Sequence, residues 1–422
     1  MDFKNYLVPG KTGLLIGIGG VSMSPLAEVL HDAGLDIRGS DMAESSNTLT
    51  LRERGIPIHI GHSADNVTDD ISFVIRTAAV HDDNPEVHEA HRRGIPVFER
   101  TQAWGALMRG YQNALCISGT HGKTTTTSMC THIMMAAEKD PTVMIGGTLP
   151  LLKACHRVGK GNTIIMESCE YYNSFLALNP TIAVVLNIEA DHLDFFKDLE
   201  DIKHSFRCFA ERVPAETGTV IANYDDANTM DALRGIARKV ITFGLNAKAD
   251  VYAQNIVHRG SVSEFDIYHR GNYFARVTLH VPGIHNVRNA LAATAAAIVL
   301  GVSPNAVKYG LAGFEGAGRR FDFKGKFQGA DLYDDYAHHP SELRALLDAV
   351  DTLNYQRTIV VFQPHTYSRT AKLFNDFVEQ LRRPTIVYLA EIYAAREKNT
   401  IGISSADLAA QIPGAKFYPT FA

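Results

Sequence analysis

The stretch "CISGTHGKTTTTSM", Cys116 to Met129, sets a lysine and four threonines directly behind two glycines. A lysine at the start of a helix can reach the β- and γ-phosphates of a nucleotide, and the hydroxyl that follows can ligate Mg²⁺. The usual G-x-x-x-x-G-K-[ST] spacing would need a glycine at 117, where the chain has Ile117. Two readings follow. Gly119, Thr120, His121, Gly122, Lys123, Thr124 and Thr125 form a short phosphate loop, or they form a glycine turn with a threonine-capped helix and a solvated lysine. Two later apolar runs end in further ligand types. "NTIIMESCE" ends in Glu167 and Glu170, and "TIAVVLNIEADHLD" ends in Glu189, Asp191, His192 and Asp194. Hard oxygen donors beside phosphates suit Mg²⁺. Taken singly, each such residue could instead cap a helix or pair with a surface cation.

Earlier in the chain, "LLIGIGGVSMSPLAEVL" supplies a second glycine turn through Gly17, Gly19 and Gly20. Gly17 and Gly19 match the first two glycines of G-x-G-x-x-G, but the third position is Ser22. Such a turn lets a diphosphate approach the N-terminus of the following helix, where unpaired N–H groups favour anions. It also serves as a plain strand-to-helix turn with no ligand. "GSD" at 39–41 puts Asp41 where a sugar could be held. The last quarter adds Arg319 and Arg320 in "GRRF", then "YDDYAHHPSE" and "FQPHTYSR". His338, His339 and His365 gather at the ends of strand-like runs. No H-x-x-x-H or cysteine ligand pattern accompanies them, so zinc is not indicated.

The elements that must carry these residues are legible as alternation. Short β-branched runs such as "TGLLIGIGG", "ISFVIRTAA", "NALCISG", "GTVIANY", "RKVITFG", "TIVVFQP" and "TIVYLAEIY" are separated by amphipathic stretches such as "SPLAEVLHDAG" and "SELRALLDAVDTL". This pattern predicts an α/β protein with parallel sheets covered on both faces. In such sheets ligands sit beyond the carboxyl ends of strands, which would bring Glu167, His192 and the 119–124 loop together. "SEFDIYHRGNYFARVTLHV" reads as a β-hairpin with its turn at "RGN". At 422 residues the chain predicts several domains. The expected blocks are 1–110, 111–316, and 317–422, the last with three more strands. A net charge of −5 argues against a broad nucleic-acid surface. Five cysteines with no C-x-x-C indicate a reducing compartment, hence the cytoplasm. The start lacks the apolar core of a signal peptide, and no apolar run is long enough to cross a membrane.

Read in order, "GTHGKTTT", "LNIEADHLD", "VPGIHNVRNALAA", "GRRF", "DDYAHHPSE", "FQPHTYSRT" and "EIYAARE" resemble the Mur ligases nearly end to end. Within that family "GIGGVSMSPLAEVL", "THGKT" and "DDYAHHP" resemble the branch that joins L-alanine to UDP-N-acetylmuramate. The resemblance implies a three-domain, ATP-dependent carboxylate–amine ligase of peptidoglycan precursor synthesis: a Rossmann-like UDP-sugar domain, a central P-loop ATPase-type domain, and a Rossmann-like C-terminal domain that binds the amino acid. ATP and Mg²⁺ are the implied cofactors. The implied partners are UDP-N-acetylmuramate and L-alanine, with neither nucleic acid nor membrane insertion, in a monomer or homodimer. Gly17, Gly19, Gly20, Ser22, Ser24 and Asp41 are implied to hold the UDP-sugar, rather than NAD. The 119–125 loop is implied to hold ATP, together with His285, Asn286, Asn289, Arg319 or Arg320, and Asp335. Thr124, Glu167 and His192 would hold the metal, and Tyr336, His338 and Arg369 the amino acid. Lys123, Arg320 and His338 are the implied catalytic groups, His338 as a helper in deprotonating the amine. A sister ligase that attaches a recycled peptide, an NAD-dependent oxidoreductase on the first glycine turn, and a catalytically impaired nucleotide-binding module are the alternatives. Three departures stand out: Thr366 where some relatives have arginine, "ESCEYYNSF" in the acidic stretch, and an end at Ala422 that predicts a C-terminal sheet short of an element.

Overall fold

The computed structural model describes residues 2–77, 79–395 and 397–420; Arg396 of the "EIYAARE" stretch and the end at Ala422 lie outside them. Strands β1 (Thr12–Ile16), β2 (Asp36–Asp41), β3 (Ile58–Ile60), β4 (Ile71–Arg76) and β5 (Val97–Glu99) form a parallel sheet in the order β3-β2-β1-β4-β5. Leu14, Leu15 and Ile16 are fully buried, as a strand covered on both faces requires. The next sheet holds ten strands. They are β6 (Asn113–Ser118), β7 (Thr142–Leu149), β8 (Ala154–Arg157), β9 (Thr163–Glu167), β10 (Ile182–Val185), β11 (Thr219–Asn223), β12 (Lys239–Gly244), β13 (Val251–Arg259), β14 (Val262–His269) and β15 (Asn272–Leu279). Their order is β15-β14-β13-β12-β11-β10-β6-β9-β7-β8.

The expected hairpin is β14 and β15, paired antiparallel across Arg270 and Gly271. Both turn residues have positive φ, 50° and 80°, which matches the right-handed twist of the flanking strands. The last block carries five strands rather than three. A hairpin of β16 (Asp322–Phe327) and β17 (Ala330–Asp334) precedes a parallel sheet of β18 (Ile359–Phe362), β19 (Ile386–Ala390) and β20 (Lys416–Tyr418). That hairpin offers no apolar run to read, because its strands mix charged residues with apolar ones that are exposed or only half-buried. No helix among the described residues is long and apolar enough to cross a membrane.

The first two sheets are joined by one continuous apolar cluster, in which Phe3, Trp104, Phe175 and Phe206 all take part. A polar joint flanks it. Glu28, on the helix Met23–Asp32, is 5 % exposed and meets His156 Nε2 at 3.1 Å and Arg54 Nη1 at 2.8 Å. Burial pulls the His156 pKa down, but hydrogen bonds to Cys155 and Glu28 overcome this and set it at about 9. A folded pKa raised above the unfolded value of 6.5 stabilises the fold fully below that pH, and the stabilisation fades as pH rises through about 9. His156→Gln is therefore expected to lower the thermal midpoint clearly at about pH 6 and little at about pH 9.5, with a difference on the order of 1–3 kcal/mol. Thermal denaturation at the two pH values checks this; equal losses would contradict it.

Candidate active site

Strand β6 is buried from Ala114 to Ser118 and delivers the chain into the glycine turn. Gly122 has φ 84°, and a Cβ there would stand 2.7 Å from Asn289 Oδ1. Glycine is required on both counts. The helix Lys123–Ala136 starts immediately after. Its first-turn N–H groups have no intrahelical acceptor, and its dipole makes this end positive. The turn itself is tied to the neighbouring strand. Thr120 N donates to Asn187 O at 3.0 Å, His121 N to Asn187 Oδ1 at 2.8 Å, and Asn187 Nδ2 returns a bond to His121 O at 3.0 Å. These bonds leave the N–H groups from 122 onward to meet an anion.

Adjacent strands deliver the acids. β6 lies between β10 and β9, both parallel to it. Glu167 ends β9, and its carboxylate accepts from the Thr124 hydroxyl at 3.0 Å and from Gly146 N at 2.7 Å. Glu170, 3 % exposed, holds Lys123 Nζ at 3.0 Å. Burial disfavours the Lys123 ammonium, but the charge of Glu170 outweighs it and moves the pKa above the ordinary lysine range. His192, at φ 51°, places Nε2 at 3.9 Å from both Glu170 and Asp191. Its ring stacks on Tyr171 with centroids 4.3 Å apart.

The opposite wall comes from the last block. Arg320 and Arg319 lie over the Tyr336 ring at 5.2 and 4.7 Å. The Asp335 carboxylate accepts from Phe321 N and Ala337 N, both at 2.7 Å, and burial raises its pKa. His338 Nδ1 donates to the Tyr336 carbonyl at 2.8 Å, so Nε2 carries the lone pair when the ring is neutral. Burial lowers the His338 pKa and favours that neutral form. Arg369 donates to Asp191 Oδ1 through Nη2 at 2.8 Å and Nε at 3.1 Å. Between the walls lies a cavity of about 730 Å³.

Most of the residues singled out in the sequence meet in that cavity. It is lined by Thr120, His121, Gly122, Lys123, Thr124, Thr125, Glu167 and His192 on one side. His285, Asn286, Asn289, Arg320, Asp335, Tyr336, His338 and Arg369 line the rest. Gly119 and Arg319 do not line it, and neither do Gly17, Gly19, Gly20, Ser22, Ser24 and Asp41. The latter six lie apart from it, beyond the carboxyl end of the central strand β1, at the start of the helix Met23–Asp32 and at the end of β2. There Asp41 Oδ2 accepts from Gly19 N at 2.8 Å, Ser24 is buried, and Ser22 Oγ is buried without a hydrogen-bond partner. Sequence reasoning left the role of Glu170 open and passed over Asn187, Ser341 and Glu342. Asn187 and Glu342 sat inside quoted stretches, but nothing in their spacing marks them as partners of His121.

The comparisons agree with this geometry. Models of the Mur ligase family match residues 15–112 (family, catalytic domain), 117–297 (middle domain) and 319–421 (glutamate ligase domain). A UDP-N-acetylmuramate–L-alanine ligase of Agathobacter rectalis is 47 % identical over 93 % of this chain and 86 % of its own length. One from Clostridium novyi is 45 % identical over 98 % of this chain and 89 % of its own. The crystal structure of a UDP-N-acetylmuramate–alanine ligase from Thermotoga maritima superposes with a TM-score of 0.78 at 29 % identity, covering 96 % of this chain and 90 % of that one. Family models that together span nearly the whole chain, and this breadth of identity, lead to one conclusion: the chain belongs to the Mur ligase family.

Proposed function

We propose that this protein joins L-alanine to the lactyl carboxylate of UDP-N-acetylmuramate with cleavage of ATP. The observation that carries the reading is a single cavity with a phosphate loop on one wall and Tyr336, His338 and Arg369 on the other. The three domains divide as 1–110, 111–316 and 317–422. The first holds the UDP-sugar on the turn through Gly17, Gly19, Gly20, Ser22 and Ser24, with Asp41 bracing that turn. ATP lies along the 119–125 loop, with its nucleoside end towards His285, Asn286, Asn289 and Asp335. Arg320, which faces the cavity, is the phosphate arginine; Arg319 turns towards Asp334, 3.5 Å away.

The carboxylate of the sugar nucleotide attacks the γ-phosphorus, the bond from that phosphorus to the bridging oxygen breaks, ADP leaves, and an acyl phosphate results. The alanine amine then attacks the acyl carbon, and phosphate leaves. A carboxylate and a triphosphate repel each other, so the chain must supply positive charge at the point of attack. Lys123, Arg320 and the helix N-terminus provide it. The Thr124 hydroxyl and the Glu167 carboxylate are hard oxygen donors 3.0 Å apart at the mouth of that helix, a donor set that fits Mg²⁺, with His192 as a third ligand. Bound there, Mg²⁺ would neutralise phosphate charge. His338 Nε2 accepts a proton from the amine, and Arg369 orients the amino acid's carboxylate. Closure of the C-terminal block over the cavity excludes water from the acyl phosphate.

Phosphate release with ATP and UDP-N-acetylmuramate, screened across amino acids and a tripeptide, tests the reading. Release greatest with alanine supports it, whereas release only with the tripeptide would assign the peptide-adding activity. Lys123→Ala is expected to lower kcat/KM by at least about 10³-fold without unfolding the protein. Glu167→Ala should raise the Mg²⁺ requirement steeply, and an unchanged Mg²⁺ titration would sink the metal assignment. Gly122→Ala, strained by its φ and crowded by Asn289, should weaken ATP binding by about tenfold or more. Calorimetric ATP affinity equal to wild type would contradict the loop geometry.

A further inference from the structure

His121 belongs to the phosphate loop by position but not by contact. Its backbone N–H goes to Asn187. Its Nδ1 is 3.1 Å from Glu342 Oε1, and its Nε2 is 2.9 Å from Ser341 Oγ and 3.4 Å from Glu189 Oε2. Glu342 and Ser341 sit in the first turn of the helix Pro340–Asp351, which belongs to the C-terminal block. His339, the N-cap of that helix, donates or accepts through Nδ1 with the same Ser341 hydroxyl at 2.7 Å, and its ring lies 5.0 Å from that of His121. The Glu342 carboxylate does double duty. Besides His121, it accepts from His338 N at 2.9 Å and His339 N at 3.2 Å. One carboxylate therefore joins the phosphate loop to the backbone of the proposed proton acceptor, His338.

The charges agree with this geometry. Burial lowers the His121 pKa, but hydrogen bonds to Glu189 and Glu342 reverse the effect and place it at about 9. Burial would raise the Glu189 pKa, yet His121 brings it to about 2. An imidazolium thus bridges one carboxylate from each side of the cavity. Losing either side would leave a buried charge without its partner.

We infer that His121 is a positioning residue that couples closure of the C-terminal domain to the shape of the phosphate loop, acting through Glu342 and Ser341 rather than on the nucleotide. The inference rests on the loop being the ATP site. In the open form the His121 side chain loses two of its three partners and keeps only Glu189, while its backbone stays bonded to Asn187. Closure then sets the loop and His338 in one step, because the same carboxylate fixes both.

Two measurements on the full chain test this. Small-angle scattering with and without a non-hydrolysable ATP analogue reads closure without requiring turnover. Wild type is expected to contract with the analogue, and His121→Ala and Glu342→Gln to contract less. Equal contraction in His121→Ala, or none in wild type, overturns the inference. Turnover supplies the second readout. Each single variant should lower kcat about tenfold while ADP affinity stays within about threefold, and the double variant should be no worse than the poorer single. Factors that multiply, or ADP affinity that falls in step with kcat, would overturn it in favour of independent roles or direct nucleotide contact. Glu342→Gln also touches a helix cap, so Ser341→Ala is measured beside it. That change removes only the hydroxyl between the two histidines and should reproduce a smaller kcat loss at an unchanged thermal midpoint. If wild type ligates no amino acid, the proposed function fails, while the scattering result still decides the role of His121.

Discussion

Burying Lys123 is the constraint around which the site is arranged. An ammonium taken out of water costs several kcal/mol unless it is paired and hydrogen-bonded. Glu170 supplies the pair, and the carbonyls of Gly119 and Thr120 accept its remaining protons at 2.5 and 3.1 Å. The carbonyls are available because the glycine turn folds back over the side chain. Glu170 is available because the chain turns sharply after β9, where Tyr172 and Asn173 both adopt φ 54°. Under the proposed function, an arriving triphosphate would meet a lysine that is already charged and already localised, at the positive end of a helix. Glu170 would have to share Lys123 with the phosphates, which is why its removal should be felt at the nucleotide rather than only in stability.

The strand order turns this local requirement into a site. With β6 between β10 and β9, three consecutive chain exits face the same side of the sheet. The phosphate loop leaves β6, Glu167 ends β9, and Asn187 follows β10. Asn187 is the link that makes the loop rigid, because it takes up both polar backbone groups of His121 and the N–H of Thr120. A loop fixed by its neighbour rather than by its own bonds can leave its later N–H groups unsatisfied in the protein. Those groups are the part an anion completes.

Much of this was legible in the sequence, and the reasons for the gaps are physical. Continuous apolar runs identify central parallel strands such as β6, β10 and β11, because burial on both faces demands them. Short or polar strands give no such signal: β3 has three residues, and β16 is mostly exposed. Lys123, Thr124 and Glu167 could be picked out because phosphate and metal chemistry needs those residue types at strand ends. The partners that orient them could not. Nothing about Glu342 in "HHPSE" distinguishes a carboxylate that caps its own helix from one that reaches a histidine 221 residues earlier. Arg369 shows the same limit. Its type suits a carboxylate ligand, but only the fold reveals that Asp191 already occupies two of its nitrogens.

The two domain joints differ in kind, and the difference bears on how the site works. The first and second domains share an apolar cluster, which is cohesive and has no preferred alternative once exposed to water. The C-terminal block instead keeps its own small core around Phe377, Leu381 and Leu389, separate from the central cluster. It meets the central domain through charges: Arg369 with Asp191, and Glu342 with His121. The backbone on that side is also strained. Thr366, a β-branched residue at φ 65° and ψ 143°, caps the short helix that carries Arg369. Such a conformation costs on the order of 1–3 kcal/mol. Buried ion pairs gain little net free energy because desolvation nearly cancels their attraction, yet they are specific in geometry. A joint built this way is accurate when shut and inexpensive to open. A ligase that must shield an acyl phosphate and then release its products needs that combination, and an apolar interface would deny it the second half.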